Sequence, residues 1–542
     1  MIQDAKKVKI YISGIDISQA IRPLIQSFFG NIEYEYAYVD SDEINYGEAQ
    51  IVSGELSVRC GFSEKTVCCK IAAKVGDDGE NISENVLKST KENIKITENV
   101  DESGKILLIT GSLEELPEDI AEYRYAAGRL IYDMLHKLTG KTLPWGVMIG
   151  IRPTKHAYEA LERGKSEDEI KSRFEKELYV SSERAEIAVD IAKRELDILR
   201  GFDYRNGYSL YIGIPFCPTT CLYCSFTSYP VEKFGHLMDD YLTSLEREMA
   251  YASTAFSGEN GSKKKNLNTI YIGGGTPTAL SEAGLKRLLT AVHKYFPVES
   301  TLEFCVEAGR PDSLNPEKLR ILKEYGVNRI SINPQSMNGK TLELIGRKHT
   351  VEQVYEAFKM ARATGHENIN LDMIIGLHGE TPEDVAHTLS CVKELDPESL
   401  TVHTLAIKRA ARLKLENDRY KDLAAKDVEK AADLAMKFAA ENAYHPYYLY
   451  RQKNMAENLE NIGYAREGKE GLYNILIMEE KQTILALGAG ATTKYVFPEK
   501  ILEDGSSEVR IERVENVKSL TDYIDRVDEM IERKKEAFAA WN

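Results

Sequence analysis

From residue 208 onward the chain alternates short, almost wholly apolar runs with longer stretches whose apolar positions recur three and four apart. The runs are LYIGI (210–214), TIYIG (269–273), TLEFCVE (301–307), RISINPQ (329–335), INLDMIIGL (369–377) and SLTVHTL (399–405). Continuous apolar runs of this length suit strands buried on both faces. The stretches between them, such as SEAGLKRLLTAVHKYF and TPEDVAHTLSCVKEL, carry the helical period and place acidic residues in the first turn, where the helix dipole favours them. Strand and helix alternating in this way predict an α/β fold, a parallel sheet curled into a partial (βα)6 barrel over residues 206–410. In such barrels the working groups sit where the chain leaves the carboxyl end of each strand.

Outside the barrel the pattern changes. KVKIYISG through VRCGFSEKTVCCKIAAKV alternates with period two, which predicts an N-terminal α+β module over residues 1–115. Residues 116–205 read as connecting helices with the turn LPWGVMIGIRPTK among them. Beyond the barrel, KDLAAKDVEKAADLAMKFAAENAY predicts a long helix, ILALGAGATTKY a turn of small residues, and the charged tail a further helix. Together these make a helical and α+β C-terminal domain over residues 411–542. SGENGSKKKN (257–266) reads as an exposed loop, and no solenoid repeat is visible.

A chain of 542 residues is too long for one core, so two to four domains are expected. No apolar run approaches the roughly 18 residues that a membrane span needs, so none is expected. MIQDAKKVKIYISG lacks the apolar core and cleavage site of a signal peptide, and cytoplasmic residence is the expectation. The net charge of -16 argues against nucleic acid as a partner. Eight cysteines, at 60, 68, 69, 217, 221, 224, 305 and 391, lack the density of a secreted disulfide scaffold. In a reducing compartment, clustered thiols point to metal.

GIPFCPTTCLYCSF sets Cys217, Cys221 and Cys224 in a C-x3-C-x2-C pattern directly after the first barrel strand. Structural zinc wants four ligands, and no second cysteine pair follows. Catalytic zinc takes three, normally with His or a carboxylate among them; on spacing alone it stays open. A [4Fe-4S] cluster takes four thiolates, so three leave one iron free to bind a small molecule bearing an amine and a carboxylate, such as S-adenosylmethionine. GGGTP, from Gly273 to Pro277, follows the second strand; its NH groups can form a concave nest, or simply a tight turn or a phosphate cradle.

C-x3-C-x2-C after a first barrel strand is the hallmark of the radical S-adenosylmethionine (SAM) superfamily, which this chain resembles. YIGIPFCPTTCLYCSF followed by YIGGGTPTAL is similar to the oxygen-independent coproporphyrinogen III oxidase family. LPWGVMIGIRPTK and YYLYRQKNMAENLENIGYA resemble its HemZ-type, coproporphyrinogen dehydrogenase-like branch. The resemblance implies a radical SAM barrel with a [4Fe-4S] cluster on Cys217, Cys221 and Cys224. It also implies that Gly274, Gly275 and Thr276 hold the methionine end of S-adenosylmethionine. Further cofactor contacts are implied for Tyr211, Tyr223, Glu307, Gln335, Arg347, Asp372 and Ala406. The implied chemistry is one-electron cleavage of S-adenosylmethionine to a 5'-deoxyadenosyl radical, which takes hydrogen from a propionate of coproporphyrinogen III. Loss of carbon dioxide and an electron then leaves a vinyl group, and two such events give protoporphyrinogen IX. The implied partners are a tetrapyrrole substrate, an electron donor and an electron acceptor.

The chain also departs from the family pattern. Better-known members carry a fourth cysteine where this chain has Phe226, and an apolar residue touching a second cofactor molecule where it has Thr492. A haem-handling sister group carries His where this chain has Glu457, which argues against that alternative; radical modification of tRNA is the third reading. Asp372, inside an apolar strand, requires a partner. Arg347 and Lys348 suit a carboxylate clamp, whereas His403 reads as a core histidine. YHPYYLYR (444–451) suits stacking on a flat macrocycle and a core edge equally.

Overall fold

The computed structural model describes residues 7–29, 32–39, 55–63, 65–75, 93–101, 104–150, 152–258, 264–406, 427–451, 459–501 and 507–541. They form two compact units, Met1–Val189 with Arg451–Leu459, and Asp190–Tyr450 with Glu460–Asn542.

In the first unit, β1 (Lys7–Gly14), β2 (Glu33–Tyr38), β3 (Glu55–Phe62), β4 (Val67–Val75), β5 (Ile94–Asp101) and β6 (Gly104–Leu113) pair in the order β2-β1-β3-β4-β6-β5. β1 runs parallel to both of its neighbours, and the remaining pairs are antiparallel. The period-two pattern does what it predicts: Val8, Ile10 and Ile12 of β1 are buried in alternation. The helix Ile120–Thr139 packs on β6 and on the helix Ser18–Phe29. Asp119 starts it by accepting from the NH groups of Ala121 and Glu122, and Gly140 ends it at φ 68°. In the turn LPWGVM, Trp145 is fully buried, and a Cβ at Gly146 would lie 2.1 Å from the Leu178 carbonyl oxygen. Arg451 lies over that indole, donating to the Met148 carbonyl at 2.5 Å.

The second unit contains β7 (Gly207–Ile214), β8 (Phe216–Cys217), β9 (Tyr229–Pro230), β10 (Asn266–Gly274), β11 (Glu303–Gly309), β12 (Arg329–Gln335), β13 (Ile369–Ile375) and β14 (Ser399–Thr404). It continues with β15 (His445–Tyr450), β16 (Asn461–Ala465), β17 (Thr483–Leu487), β18 (Thr492–Val496), β19 (Lys500–Ile501), β20 (Ser507–Glu508) and β21 (Ile511–Glu515). Its main sheet runs β15-β16-β14-β13-β12-β11-β10-β7-β17-β18-β21. The six expected strands are β7 and β10 to β14, all parallel, with β17 parallel to β7 on its outer side. β16 and β18 are antiparallel to the strands they flank. The long helix expected after the barrel is described over Val428–Glu441; residues 421–426 lie outside the described residues.

Every residue of β12 is buried, yet Arg329, Ser331 and Asn333 alternate there with Ile330 and Ile332. The apolar set faces one side of the sheet, and the polar set forms hydrogen-bonded rows on the other. Thr269 donates to Ser209 at 2.7 Å, Arg329 to Ser399 at 2.8 Å and Asn370 to Ser331 at 2.9 Å. Buried polar groups are tolerable only when paired in this way. The segment 469–479 covers this face at the amino ends of the strands. Arg329 donates to the Lys469 carbonyl at 2.8 Å, and Glu303 accepts from the NH groups of Leu472 and Tyr473 at 2.8 and 3.2 Å. The carboxyl ends carry the candidate site.

Candidate functional site

Beyond β7 the chain enters the cysteine loop, which is stapled at several points. The NH groups of Gly275 and Thr276 donate to the carbonyls of Ile214 and Phe216 at 2.8 and 2.7 Å, and that of Leu222 donates to Ile345 at 3.0 Å. Arg310, held by both oxygens of Asp312, donates to the Thr219 hydroxyl at 2.5 Å. Thr276 reaches the Cys217 sulfur at 3.5 Å. Cys217 and Cys221 are buried, Cys224 is half-buried, and none is disulfide-bonded. Burial pushes the Cys217 thiol up to about 12, and the neighbouring Cys224 and Cys221 add to the effect. Among the described residues no three His, Cys, Asp or Glu side chains stand gathered as metal ligands. The three thiols share one loop and feel one another's charge.

The glycine stretch forms a tight turn, one of the readings its sequence leaves open. The NH groups of Gly275 and Thr276 are committed to the cysteine loop, and that of Gly274 to the Glu307 carboxylate. A Cβ at Gly273 would lie 2.7 Å from Glu307 Oε1, and one at Gly275 2.7 Å from the Phe216 carbonyl oxygen. Gly274 takes φ +103°, with Tyr211 Oη 3.2 Å from where its Cβ would be. GGGTP is therefore a joint between the cysteine loop, Tyr211 and Glu307.

Glu307, on β11, accepts the Tyr271 hydroxyl at 2.7 Å. Burial pushes its carboxyl up to about 7, and the charge of Asp372 adds to this against the Tyr271 hydrogen bond. Tyr271 stacks on Tyr473 at 4.5 Å and on Tyr211 at 6.2 Å, closing the floor beneath the site. Asp372 on β13 has the partner its burial requires: Asn370 donates to Oδ1 at 2.6 Å. Burial raises its pKa, but His403, Asn370 and Thr401 outweigh that and hold the carboxyl below its usual range.

Gln335 ends β12 at φ +69°, a strained conformation for a side-chain-bearing residue, and its buried Oε1 has no hydrogen-bond partner. Arg347 donates through Nη1 to the Asn333 carbonyl at 2.5 Å and through Nη2 to the Tyr223 hydroxyl at 3.2 Å. It thus braces Tyr223 beside Cys221, and its buried Nε has no hydrogen-bond partner. Ala406 follows β14 next to Leu405, which lines a small notch with Leu222, Tyr223, Leu344, Ile345, Leu377 and His378. Of YHPYYLYR, Tyr444, Tyr447 and Tyr448 are core, and Tyr450 is half-buried beside His403. Glu457 lies outside the described residues.

Sequence reasoning missed Tyr271, which shares the period-two face of Gly273, and Tyr473, which a distant helix brings in without any local signal. It also set aside His403, whose ring lies 3.7 Å from Asp372.

A parallel α/β sheet whose first strand opens into a loop of three free thiols defines a class of cluster-dependent radical proteins. Residues 211–392 match the Radical SAM superfamily. The chain is 40% identical over 366 residues to the "Oxygen-independent coproporphyrinogen-III oxidase-like protein HemZ" of Bacillus subtilis, covering 67% of this chain and 72% of that protein. It is 43% identical over 201 residues to the "Heme chaperone HemW" of Bacillus subtilis, 37% of this chain and 51% of that one. It is 33% identical over 198 residues to the oxygen-independent coproporphyrinogen III oxidase of Escherichia coli, 36% of this chain and 42% of that one. Among solved structures, coproporphyrinogen III oxidase (HemN) from Escherichia coli aligns with TM-score 0.47 and 24% identity over 60% of this chain and 70% of that one. The chain belongs to the radical SAM superfamily and, within it, to the HemN/HemZ/HemW family. Its cofactors are accordingly a [4Fe-4S] cluster and S-adenosylmethionine. The donor set suits them: soft thiols on one loop, with an orphaned amide oxygen on β12 and two half-buried carboxyls on β11 and β13 beside it. No helix among the described residues is long and apolar enough to cross a membrane.

Proposed function

We propose that the chain catalyses oxygen-independent oxidative decarboxylation of two propionates of coproporphyrinogen III, giving protoporphyrinogen IX. The observation that carries this reading is the meeting of the three-thiol loop with Glu307, Gln335 and Asp372 at one end of the sheet. The substrate comes from the relatives named for coproporphyrinogen oxidation.

Cys217, Cys221 and Cys224 would hold the cluster, leaving one iron for S-adenosylmethionine. When bound, this pair supplies one-electron chemistry able to remove hydrogen from an unactivated carbon, which acid–base groups cannot do. The chain's own residues bind and orient. Glu307, Asp372 and Gln335 offer oxygens to amine, amide or hydroxyl donors. Tyr211, Tyr271 and Tyr473 wall off water from below, while Arg310 and Arg347 brace the loop from the sides. Each propionate loses one hydrogen atom, carbon dioxide and one electron, and leaves a vinyl group; the electron goes to a separate acceptor.

The test is anaerobic reconstitution with iron and sulfide, then incubation with S-adenosylmethionine, a reductant and coproporphyrinogen III. Mass spectrometry is expected to find 5'-deoxyadenosine together with tetrapyrroles lighter by one and by two equivalents of formic acid. Deoxyadenosine with unaltered tetrapyrrole would remove the substrate and keep the chemistry. The identity to HemW across the barrel supports a second reading, haem handling. Stoichiometric haem capture without tetrapyrrole turnover would favour it.

A further inference from the structure

Most cations on the polar face of the second unit are already engaged. Arg329 is bound to Asn368, Asn370, Ser399 and the Lys469 carbonyl; Arg310 to Asp312 and Thr219; Arg347 to Asn333 and Tyr223. His403 differs. Its ring stands between two groups and is held only loosely by each: Nε2 lies 3.7 Å from Asp372 Oδ2, and Nδ1 makes a long hydrogen bond of 3.5 Å with the Tyr450 hydroxyl. The side chain is 27% exposed, whereas Asp372 is 19% exposed.

Register places the ring. Asp372 pairs with Thr401 across β13 and β14, so His403 stands one side-chain step nearer the open carboxyl ends. The pairings Val402 with Ile462 and Asn461 with Tyr450 carry the His403 row through β16 to Tyr450. An imidazole and a phenol thus stand just above the carboxylate assigned to the cofactor under the proposed function, on which this inference rests.

Hydrogen transfer demands contact between the cofactor's sugar and the propionate that reacts. That propionate therefore lies next to the residues contacting the cofactor, on their open side. Its carboxylate would meet the negative charge of Asp372 and needs a donor there. We propose that His403, with the Tyr450 hydroxyl beside it, receives the carboxylate of the reacting propionate and so selects a carboxylate-bearing tetrapyrrole. The ring is well placed for this, since an imidazole between two carboxylates can donate to both when protonated and to one when neutral.

Equilibrium binding of coproporphyrin III, the stable oxidised tetracarboxylate, to the anaerobically reconstituted protein tests this, alongside equilibrium binding of S-adenosylmethionine. His403→Phe is expected to weaken coproporphyrin III binding about tenfold or more, the worth of a hydrogen bond to a charged group. His403→Gln, which keeps a donor, should recover part of that loss, and S-adenosylmethionine affinity should stay within about twofold. The tetramethyl ester of coproporphyrin III, which lacks the carboxylates, should bind wild type and His403→Phe alike. Equal binding of coproporphyrin III by wild type and His403→Phe overturns the assignment alone. So does a loss confined to S-adenosylmethionine, which would make His403 a support for Asp372. A wild-type protein that binds no coproporphyrin III overturns the tetrapyrrole reading and the assignment with it.

Discussion

Lys534 and Glu248 meet at 2.8 Å with neither side chain exposed to solvent. One stands on the helix Val527–Trp541 and the other on Met238–Ala255. Glu248 also accepts from the Gly488 NH at 2.8 Å, the Tyr523 hydroxyl at 2.6 Å and Asn516 at 2.8 Å, while Lys534 donates to Asn516 at 2.5 Å. Gly488 opens the small-residue turn expected from GAGATTKY. There a Cβ at Gly490 would lie 2.8 Å from the hydroxyl of Thr227, in the cysteine loop. The C-terminal helix thus reaches the candidate site through one buried ion pair.

Breaking that pair from one side should be costly. Lys534→Met leaves the buried Glu248 carboxylate without its counter-charge, and a loss of roughly 3–5 kcal/mol of unfolding free energy is expected. Adding Glu248→Gln removes the charge and should return part of it. Urea denaturation of the three proteins measures both steps; a single variant within about 1 kcal/mol of wild type would refute the ion pair's role.

Glu307 gives a pH dependence with a definite sign. Its carboxyl, ordinarily at 4.5, is pushed up to about 7, chiefly by burial. Between those values the folded protein holds a proton that the unfolded chain has released, so stability falls as pH rises. The contribution is fully present below pH 4.5 and is lost once pH has passed through about 7. Relative to Glu307→Gln, the cofactor-free wild type should lose on the order of 3 kcal/mol across that window and little more above it. Denaturation curves at intervals from pH 4.5 to 8.5 check this; parallel profiles for the two proteins would contradict it.

Strand periodicity made the parallel core legible, because each of its strands is an apolar run flanked by an amphipathic helix. The inner polar rows were harder to see: Arg329 and Asn333 read as ordinary strand residues until Ser399, from another strand, and Arg347, from beyond the helix that follows, are set against them. The cysteine loop announced itself through spacing, which is local chemistry. Where the NH groups of GGGTP go was not legible, because their destinations, Ile214, Phe216 and Glu307, depend on tertiary placement. Tyr473 could not be found at all, since a helix more than 200 residues beyond Tyr271 delivers it to that ring.

Gly273 should tolerate no side chain. A methyl group there would meet Glu307 Oε1 at 2.7 Å and the Tyr271 ring at 2.8 Å. Gly273→Ala is therefore expected to displace the carboxylate and weaken S-adenosylmethionine binding about tenfold or more, with an overpacking cost of about 1–3 kcal/mol in stability. Equilibrium dialysis and thermal melts separate the two effects; unchanged cofactor affinity would show that Glu307 does not serve the cofactor.

The cysteines allow the sharpest test. Replacing Cys217, Cys221 or Cys224 singly by alanine leaves two thiols on the loop, too few to retain the cluster, so iron and sulfide content and the visible absorbance should fall to near background after anaerobic reconstitution. The family's fourth cysteine falls at position 226, where this chain has a phenylalanine that is 69% exposed, whereas Cys217 and Cys221 are each 8% exposed. A thiol at 226 therefore faces solvent, away from the buried pair. Phe226→Cys combined with Cys224→Ala should fail to restore iron binding, and Phe226→Cys alone should leave the cluster's absorbance unchanged. Recovery of the cluster in the double variant would mean that the loop can turn residue 226 inward, and that Cys224 is dispensable as a ligand.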